Sequence, residues 1–225
     1  MGPTWRRGGV VGESSRQGSE TDEKTRRGGG GRTEGANVAR TAIVAAVYAA
    51  ASLAAILFLG GLAWGPIQFR VSEALCVLAL VTLDAIWGLT LGCALANAAN
   101  IILGGTGALG LLDVVFGSLA TLLGAIWCWR MRDKPRVAVL GPVISNALIV
   151  PAYLPLLLSG MGFYTIPFTS VSLDGAYPLM YLFGLVATGA GEAVVMYGLG
   201  LPLYHALMRA PLVRSVAAEA RGGRA

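Results

Sequence analysis

Residues 71–103 read VSEALCVLALVTLDAIWGLTLGCALANAANIIL, and the fold turns on how often this stretch crosses a membrane. Its charged residues are Glu73 and Asp84 alone. As a single helix it would run about 50 Å, against about 30 Å for the hydrocarbon core of a bilayer. Two helices need a break, and Thr82-Leu83-Asp84-Ala85 is the best place for one. The basic residues favour the break. Arg6, Arg7, Arg16, Lys24, Arg26, Arg27, Arg32 and Arg40 precede or open the first apolar span. Arg130, Arg132, Lys134 and Arg136 cluster further on, and Arg209, Arg214, Arg221 and Arg224 follow the last span. With a break near Asp84, every Lys and Arg except Arg70 falls on one side, which the positive-inside rule makes cytoplasmic. Without it, the 130–136 cluster falls outside.

Working outward, the apolar spans are Asn37–Gly60, Val71 to the break, Ala85–Leu103, Leu109–Trp129, Val137–Leu158 and Leu179–Leu207. The expected fold is an all-α integral membrane protein with six transmembrane helices and both termini cytoplasmic. Residues 38–210 form its membrane domain. Residues 1–37 and 211–225 are expected to be disordered basic cytoplasmic tails, because neither holds enough apolar surface to offset the entropy of ordering. The chain of 225 residues is 55% hydrophobic and 13% charged, where a soluble domain carries about 25% charged residues. Its pI of about 9.4 reflects membrane flanks rather than a nucleic-acid surface. Cys76, Cys93 and Cys128 stand singly in apolar runs and read as small buried residues.

Two features of the spans carry more than hydrophobicity. In the first, Ala42, Ala46, Ala50 and Ala54 repeat at i, i+4, a stripe that lets another helix approach closely in lipid. The second is a set of polar groups at membrane depth, each of which marks a site or pathway by default. Gln68, Phe69, Arg70 and Glu73 sit at the outer start of the second span. Asn97 and Asn100 lie near the outer end of the third, Asp113 and Phe116 at the opening of the fourth, and Asn146 and Glu192 deeper in the fifth and sixth. Acids, amides and one Arg flanked by aromatics suit a small, flat, hydrogen-bonding solute. The plainer alternatives are an Arg70–Glu73 ion pair at i, i+3, an Asp113 N-cap, and amides that only fix helix register. Asp84 reads as a turn residue, and Trp64 as an interface aromatic.

Other chemistries are set aside. No Gly-Lys-Ser/Thr occurs, so ATP is not bound by a P-loop. A lone His205 argues against a metal site, a Ser–His protease or a histidine proton relay. No enzyme activity, metal or cofactor is expected.

Several strings resemble the QueT-type queuosine-precursor transporters: Gln68-Phe69-Arg70-Val71-Ser72-Glu73-Ala74-Leu75, Gly92-Cys93-Ala94-Leu95-Ala96-Asn97, Gly110 to Thr121, Asn146-Ala147-Leu148-Ile149-Val150, and Gly191-Glu192 followed by Gly198-Leu199-Gly200-Leu201-Pro202-Leu203. They occur in the family's order over about residues 38–210. The resemblance implies a substrate-binding (S) component of an energy-coupling factor transporter, which captures a 7-deazaguanine precursor outside the cell. It implies partners: a transmembrane coupling protein and two cytoplasmic ATPase subunits, with the alanine stripe as docking face. On this reading Glu73 or Glu192 accepts the N–H donors of the base, Asn97 and Asn146 complete the hydrogen bonds, and Phe69 or Phe116 stacks on the ring. Asp84 and Trp87 depart from the apolar, proline-containing turn expected there. An S component for another vitamin-like or purine-like solute and a stand-alone secondary transporter are the alternatives.

Overall fold

The computed structural model describes residues 14–63, 65, 67–158, 164–165 and 170–222, with side chains from residue 34 onward. The expectations for residues 1–13, Trp64 and Arg224 lie outside the described residues. The chain divides into Met1–Ala39 and the larger unit Arg40–Ala225. Helix α1 runs Ser14–Leu59, so helix is present from residue 14 where the sequence predicts disorder. Extending a helix already nucleated by an apolar span costs far less than starting one.

Five helices are long and apolar enough to cross a bilayer: the Glu34–Leu59 part of α1, then α3 (Asp84–Leu103), α4 (Gly107–Arg130), α5 (Pro135–Leu157) and α6 (Tyr177–Leu207). Between α1 and α3 lies α2, a ten-residue 3₁₀ helix, Val71–Leu80. It is an apolar helix shorter than those five, where the sequence predicts the second of six spans. Gln68–Arg70 precede α2 without helical structure, and the chain turns again at residues 81–83. Winding as 3₁₀ stretches the ten residues to about 20 Å, where an α-helix would give about 15 Å.

The 3₁₀ period has a direct consequence for the site. Residues three apart eclipse one another. Glu73, Cys76 and Ala79 therefore form one ridge, with Arg70 just ahead of them, and Ala74, Val77 and Leu80 form the next, all buried. The helix packs against α3, α4 and α6, as a strut inside the bundle rather than a helix on its rim. Gly200 of α6 makes room for it: a Cβ there would lie 3.2 Å from Val77 Cγ1 and 3.4 Å from the Ala74 carbonyl.

The break falls where the charges place it. Asp84 opens α3, and its carboxylate lies 2.8 Å from Arg40 Nε, while Thr41 Oγ1 donates to its backbone carbonyl at 3.3 Å. One turn on, α3 meets α1 through Gly88 and Gly92. A Cβ on Gly88 would come within 2.7 Å of Val44 Cβ, and one on Gly92 within 2.7 Å of the Ala45 carbonyl. Ala45 and Tyr48 are the buried face of α1; Ala42, Ala46, Ala50 and Ala54 all point out of the bundle. Elsewhere the same device recurs, Gly124 on Pro142 and Gly184 on Pro151. Small residues are what helix contact in lipid requires, since apolar surface alone gives no preference for protein over acyl chain.

Exposure is distributed as in a membrane protein. Phe58 and Ile102 are 87% and 84% exposed, while Glu73, Asn146 and Glu192 are fully buried. After α6 comes α7 (Pro211–Gly222), where the sequence predicts a disordered tail. Val213, Val216, Ala217 and Ala220 line one face and pack on the inner core, with Ala217 buried. That i, i+3, i+4, i+7 spacing is an amphipathic helix whose apolar face is masked in composition by Arg214 and Arg221. Arg221 Nε reaches Asp133 at 4.0 Å, an exposed pair that contributes little.

Candidate functional site

The polar residues singled out from sequence fall into two hydrogen-bonded groups and a set without partners. The first group centres on Arg70. Its Nη2 donates to Asn97 Oδ1 at 2.9 Å and lies 3.5 Å from Asp113 Oδ1. Tyr153 on α5 donates to the same Asp113 oxygen at 2.6 Å, and Asn97 Nδ2 donates to the Asp113 backbone carbonyl at 2.8 Å. Asp113 is thus no N-cap. Helix α4 begins six residues earlier, at Gly107, and Asp113 opens a π-helical turn, Asp113–Gly117. Such a turn widens the helix and swings its side chains, which is why π-turns recur at functional sites. Gly117 closes it because a Cβ would sit 2.7 Å from Asn97 Nδ2 and 3.0 Å from Asp113 Oδ1. Phe116 lies on the same turn with its ring stacked on Tyr153, centroids 5.8 Å apart at 27°.

The second group centres on Glu73. Tyr48 donates to Oε1 at 2.5 Å, Thr121 to Oε1 at 2.9 Å, and Cys76 Sγ to Oε2 at 3.0 Å. The i, i+3 spacing of Arg70 and Glu73 does not pair them. Arg70 turns to α3 and α4, and Glu73 to α1, α4 and the next 3₁₀ turn of its own helix. Tyr48, Cys76 and Thr121 were not singled out from sequence. No sequence signal marks Cys76, which stacks under Glu73 only once α2 is wound as a 3₁₀ helix. Tyr48 sits among alanines and is indistinguishable there from a packing aromatic.

The remaining groups are buried and unmet. Both oxygens of Glu192 lack a hydrogen-bond partner, as do both side-chain polar atoms of Asn146. The same holds for Gln68 Nε2, Arg70 Nη1, Asn100 Oδ1 and Ser118 Oγ. Gln68 and Glu192 are brought together through Gly191, whose α-hydrogen faces the Gln68 carbonyl at a distance no Cβ would permit. Asn146 and Glu192 lie at neighbouring levels of α5 and α6, where Ala147 Cβ is 3.2 Å from the Cβ position of Gly189. Phe69 is half-buried and fixed through its backbone N–H, which donates to Leu62 O at 2.7 Å.

Unpartnered buried polar groups are rare in native proteins, and an isolated buried carboxylate costs several kcal/mol. Six residues carry them, on α3, α4, α5, α6 and the segment that leads into α2: acceptors at Glu192 and Asn100, donors at Gln68 and Arg70, one of each at Asn146, and the Ser118 hydroxyl. Among the described residues no three His, Cys, Asp or Glu side chains come together as a metal site.

No curated protein and no solved structure matches this chain. A family model described as QueT transporter matches residues 38–209, which takes in the five long spans from residue 38 onward, α2 and every residue of the polar site. With its several membrane-crossing helices, the chain is a multi-pass membrane protein and belongs to the QueT transporter family.

Proposed function

We propose that the protein is the substrate-capture subunit of an ATP-driven energy-coupling factor importer, and that its solute is a 7-deazaguanine precursor of queuosine. The observation that carries this reading is that Glu192 and Asn146, at neighbouring levels of α6 and α5, are both fully buried with every side-chain polar atom unmet. A carboxylate beside an amide matches the aminopyrimidinone edge of such a base. The ring N–H and the exocyclic amine donate to Glu192, while Asn146 supplies a donor and an acceptor. Gln68 Nε2 and Arg70 Nη1 are free to donate to the ring carbonyl. Glu73 is the less suitable acid, since its oxygens already accept from Tyr48, Thr121 and Cys76. Asn97 and Asp113 set the orientation of Arg70. Asn100 borders the site, and Phe69 is the aromatic left to stack on the base, because Phe116 already stacks on Tyr153.

In the proposed topology the chain crosses the membrane six times with both termini cytoplasmic. The short α2 makes the sixth crossing together with Gln68–Arg70. Gln68–Arg70, bent by a γ-turn in which the Val71 N–H donates to the Phe69 carbonyl at 2.9 Å, add to the roughly 20 Å of the 3₁₀ helix and bring this crossing toward the thickness of a bilayer core. This arrangement keeps every Lys and Arg but Arg70 on the cytoplasmic side and opens the polar site outward. Residues 38–210 are the membrane domain. Ala42, Ala46, Ala50 and Ala54, exposed on α1, are the face that docks a transmembrane coupling protein, which works with two cytoplasmic ATPase subunits.

Calorimetry on the purified protein with a panel of 7-deazaguanines, guanine and vitamins tests the solute. Tight binding of a 7-deazaguanine and not of vitamins is expected; tight binding of a vitamin instead would replace the solute within the same architecture. Recovery of ATPase subunits with the tagged protein from its native membrane tests the coupling. Uptake that persists when those subunits are deleted would point to a secondary transporter.

A further inference from the structure

Away from the polar site, basic residues crowd the end of the bundle where α4 stops, α5 starts and α6 gives way to α7. Arg130 closes α4, Lys134 and Arg136 open α5, Arg209 follows α6, and α7 adds Arg214 and Arg221. Arg40 and Asp84 answer each other at 2.8 Å, and Arg132 is buried over the Trp129 ring. Asp133 faces Arg221 at 4.0 Å. Neither Lys134 nor Arg136 is within ion-pair distance of a carboxylate among the described residues.

A cavity of about 330 Å³ opens at this end, between the start of α5 and the end of α6. Its size is within the range of small-molecule sites. Lys134, Pro135, Arg136, Val137 and His205 line it, so two cations stand beside an apolar wall. The His205 ring is fixed in that wall, its Nδ1 donating to Leu201 O at 2.8 Å. Two aromatic tips set the depth of the cavity. Trp127 Nε1 donates to the Val137 carbonyl at 3.1 Å, and the Tyr197 hydroxyl donates to the Arg136 carbonyl at 2.9 Å. Both rings are exposed on the outside of the bundle. Side chains with an apolar body and a polar tip collect where lipid headgroups meet acyl chains. Lys134 and Arg136 therefore lie at headgroup level, while Leu140, exposed one turn past Arg136, lies on the acyl side.

We infer that this cavity is a binding site for an anionic phospholipid, with the phosphate against Lys134 and Arg136 and the acyl chains along Val137 and Leu140. A soluble phosphate would meet the two charges but gain nothing from the apolar wall. A zwitterionic lipid brings its own cation to a place that already has two. In the proposed topology this end is cytoplasmic, facing the leaflet in which anionic lipid is concentrated. The site is separate from the one that holds the solute, and nothing in it depends on what Glu192 and Asn146 bind. Each Lys or Arg near an anionic headgroup contributes about fivefold in affinity, so the pair gives a preference on the order of twentyfold.

The test mixes the full chain in neutral detergent with dioleoyl phosphatidylglycerol, dioleoyl phosphatidylcholine or chainless glycerol phosphate. Native mass spectrometry across a concentration series reads the occupancy of each. Phosphatidylglycerol is expected to bind at least about tenfold tighter than phosphatidylcholine. In the double variant Lys134→Gln/Arg136→Gln that preference falls to about threefold or less. In Arg130→Gln/Arg214→Gln, which removes the same charge from positions outside the cavity, it stays near the wild-type value. Equal binding of the two lipids by the wild type overturns the inference. Equal losses in both double variants overturn it too, since they would reduce the site to diffuse attraction by a basic face. Glycerol phosphate bound as tightly as phosphatidylglycerol would make this a site for a soluble phosphate and not for a lipid. Should Lys134→Gln/Arg136→Gln fail to fold, Lys134→Gln alone is read in the same way: a loss of about fivefold is expected, and no loss removes the site.

Discussion

Removing the hydroxyl of Tyr48 is the cleanest way to ask whether Glu73 is held as a charged group by the protein itself. Tyr48 is 1% exposed and Glu73 is fully buried, and their oxygens are 2.5 Å apart. Tyr48→Phe keeps the ring and the Cβ that packs against Gly92, so what is lost is one of three donors to the carboxylate. Hydrogen bonds to a charged group contribute about 1.5–3 kcal/mol, and neutral ones about 0.5–1.5 kcal/mol. The expected cost of Tyr48→Phe is therefore about 2 kcal/mol in the wild type and about 1 kcal/mol or less in a Glu73→Gln background. The double-mutant cycle should show a coupling of about 1–2 kcal/mol. Equilibrium unfolding in mixed micelles, followed by tryptophan fluorescence at rising SDS fraction, measures all four corners. A coupling below about 0.3 kcal/mol, the scatter of non-interacting sites, would refute the picture of a carboxylate anchored by Tyr48.

Two further outcomes separate packing from docking and backbone from side chain. Gly92→Leu, which forces a Cβ to within 2.7 Å of the Ala45 carbonyl, should lower the thermal midpoint by several degrees, whereas Ala46→Leu on the exposed face of α1 should leave it unchanged and weaken only recovery of the coupling partner. Gly191→Ala places a methyl against the Gln68 carbonyl and should reduce ligand affinity at least about tenfold in calorimetry, while Gly189→Ala, with 3.2 Å to Ala147 Cβ, should stay within about threefold.

What could be read from the amino acids, and what could not, follows from the range of each interaction. The break at Thr82–Asp84 was legible because residues 71–103 are too long for one crossing and because the positive-inside rule weighs Lys and Arg across the whole chain. The buried polar residues were legible for a similar reason: in an apolar run each one stands out singly. The winding of α2 was not. Nothing in VSEALCVLAL distinguishes period 3.0 from 3.6, and the 3₁₀ form is set by contact with Gly200 and with the neighbouring helices. The partner of Arg70 was lost with it, since an α-helical i, i+3 reading points Arg70 at Glu73 while the true neighbours come from α3 and α4. The last helix went unseen for the opposite reason. Its apolar face consists of Val and Ala, too weak to register beside Arg214 and Arg221 in a composition-based reading.

The same 3₁₀ winding that defeated the sequence reading explains why the two acids of the site differ. Stacking residues every third position brings Cys76 directly to Glu73, and burial of nearly the whole circumference brings Tyr48 and Thr121 to it from two other helices. A carboxylate in the middle of so many elements is completed by them. Glu192 sits instead on a helix whose neighbour at that level is the irregular segment before α2, where Gly191 admits only a backbone carbonyl. A carbonyl cannot donate, so the helix gains close contact and the carboxylate gains nothing. Saturation of one acid and deprivation of the other thus have a single structural origin, the change from irregular chain to 3₁₀ helix at Arg70. A substitution that moved that junction by one residue would be expected to disturb both acids together, the one by removing its donors and the other by moving the carbonyl that packs against Gly191.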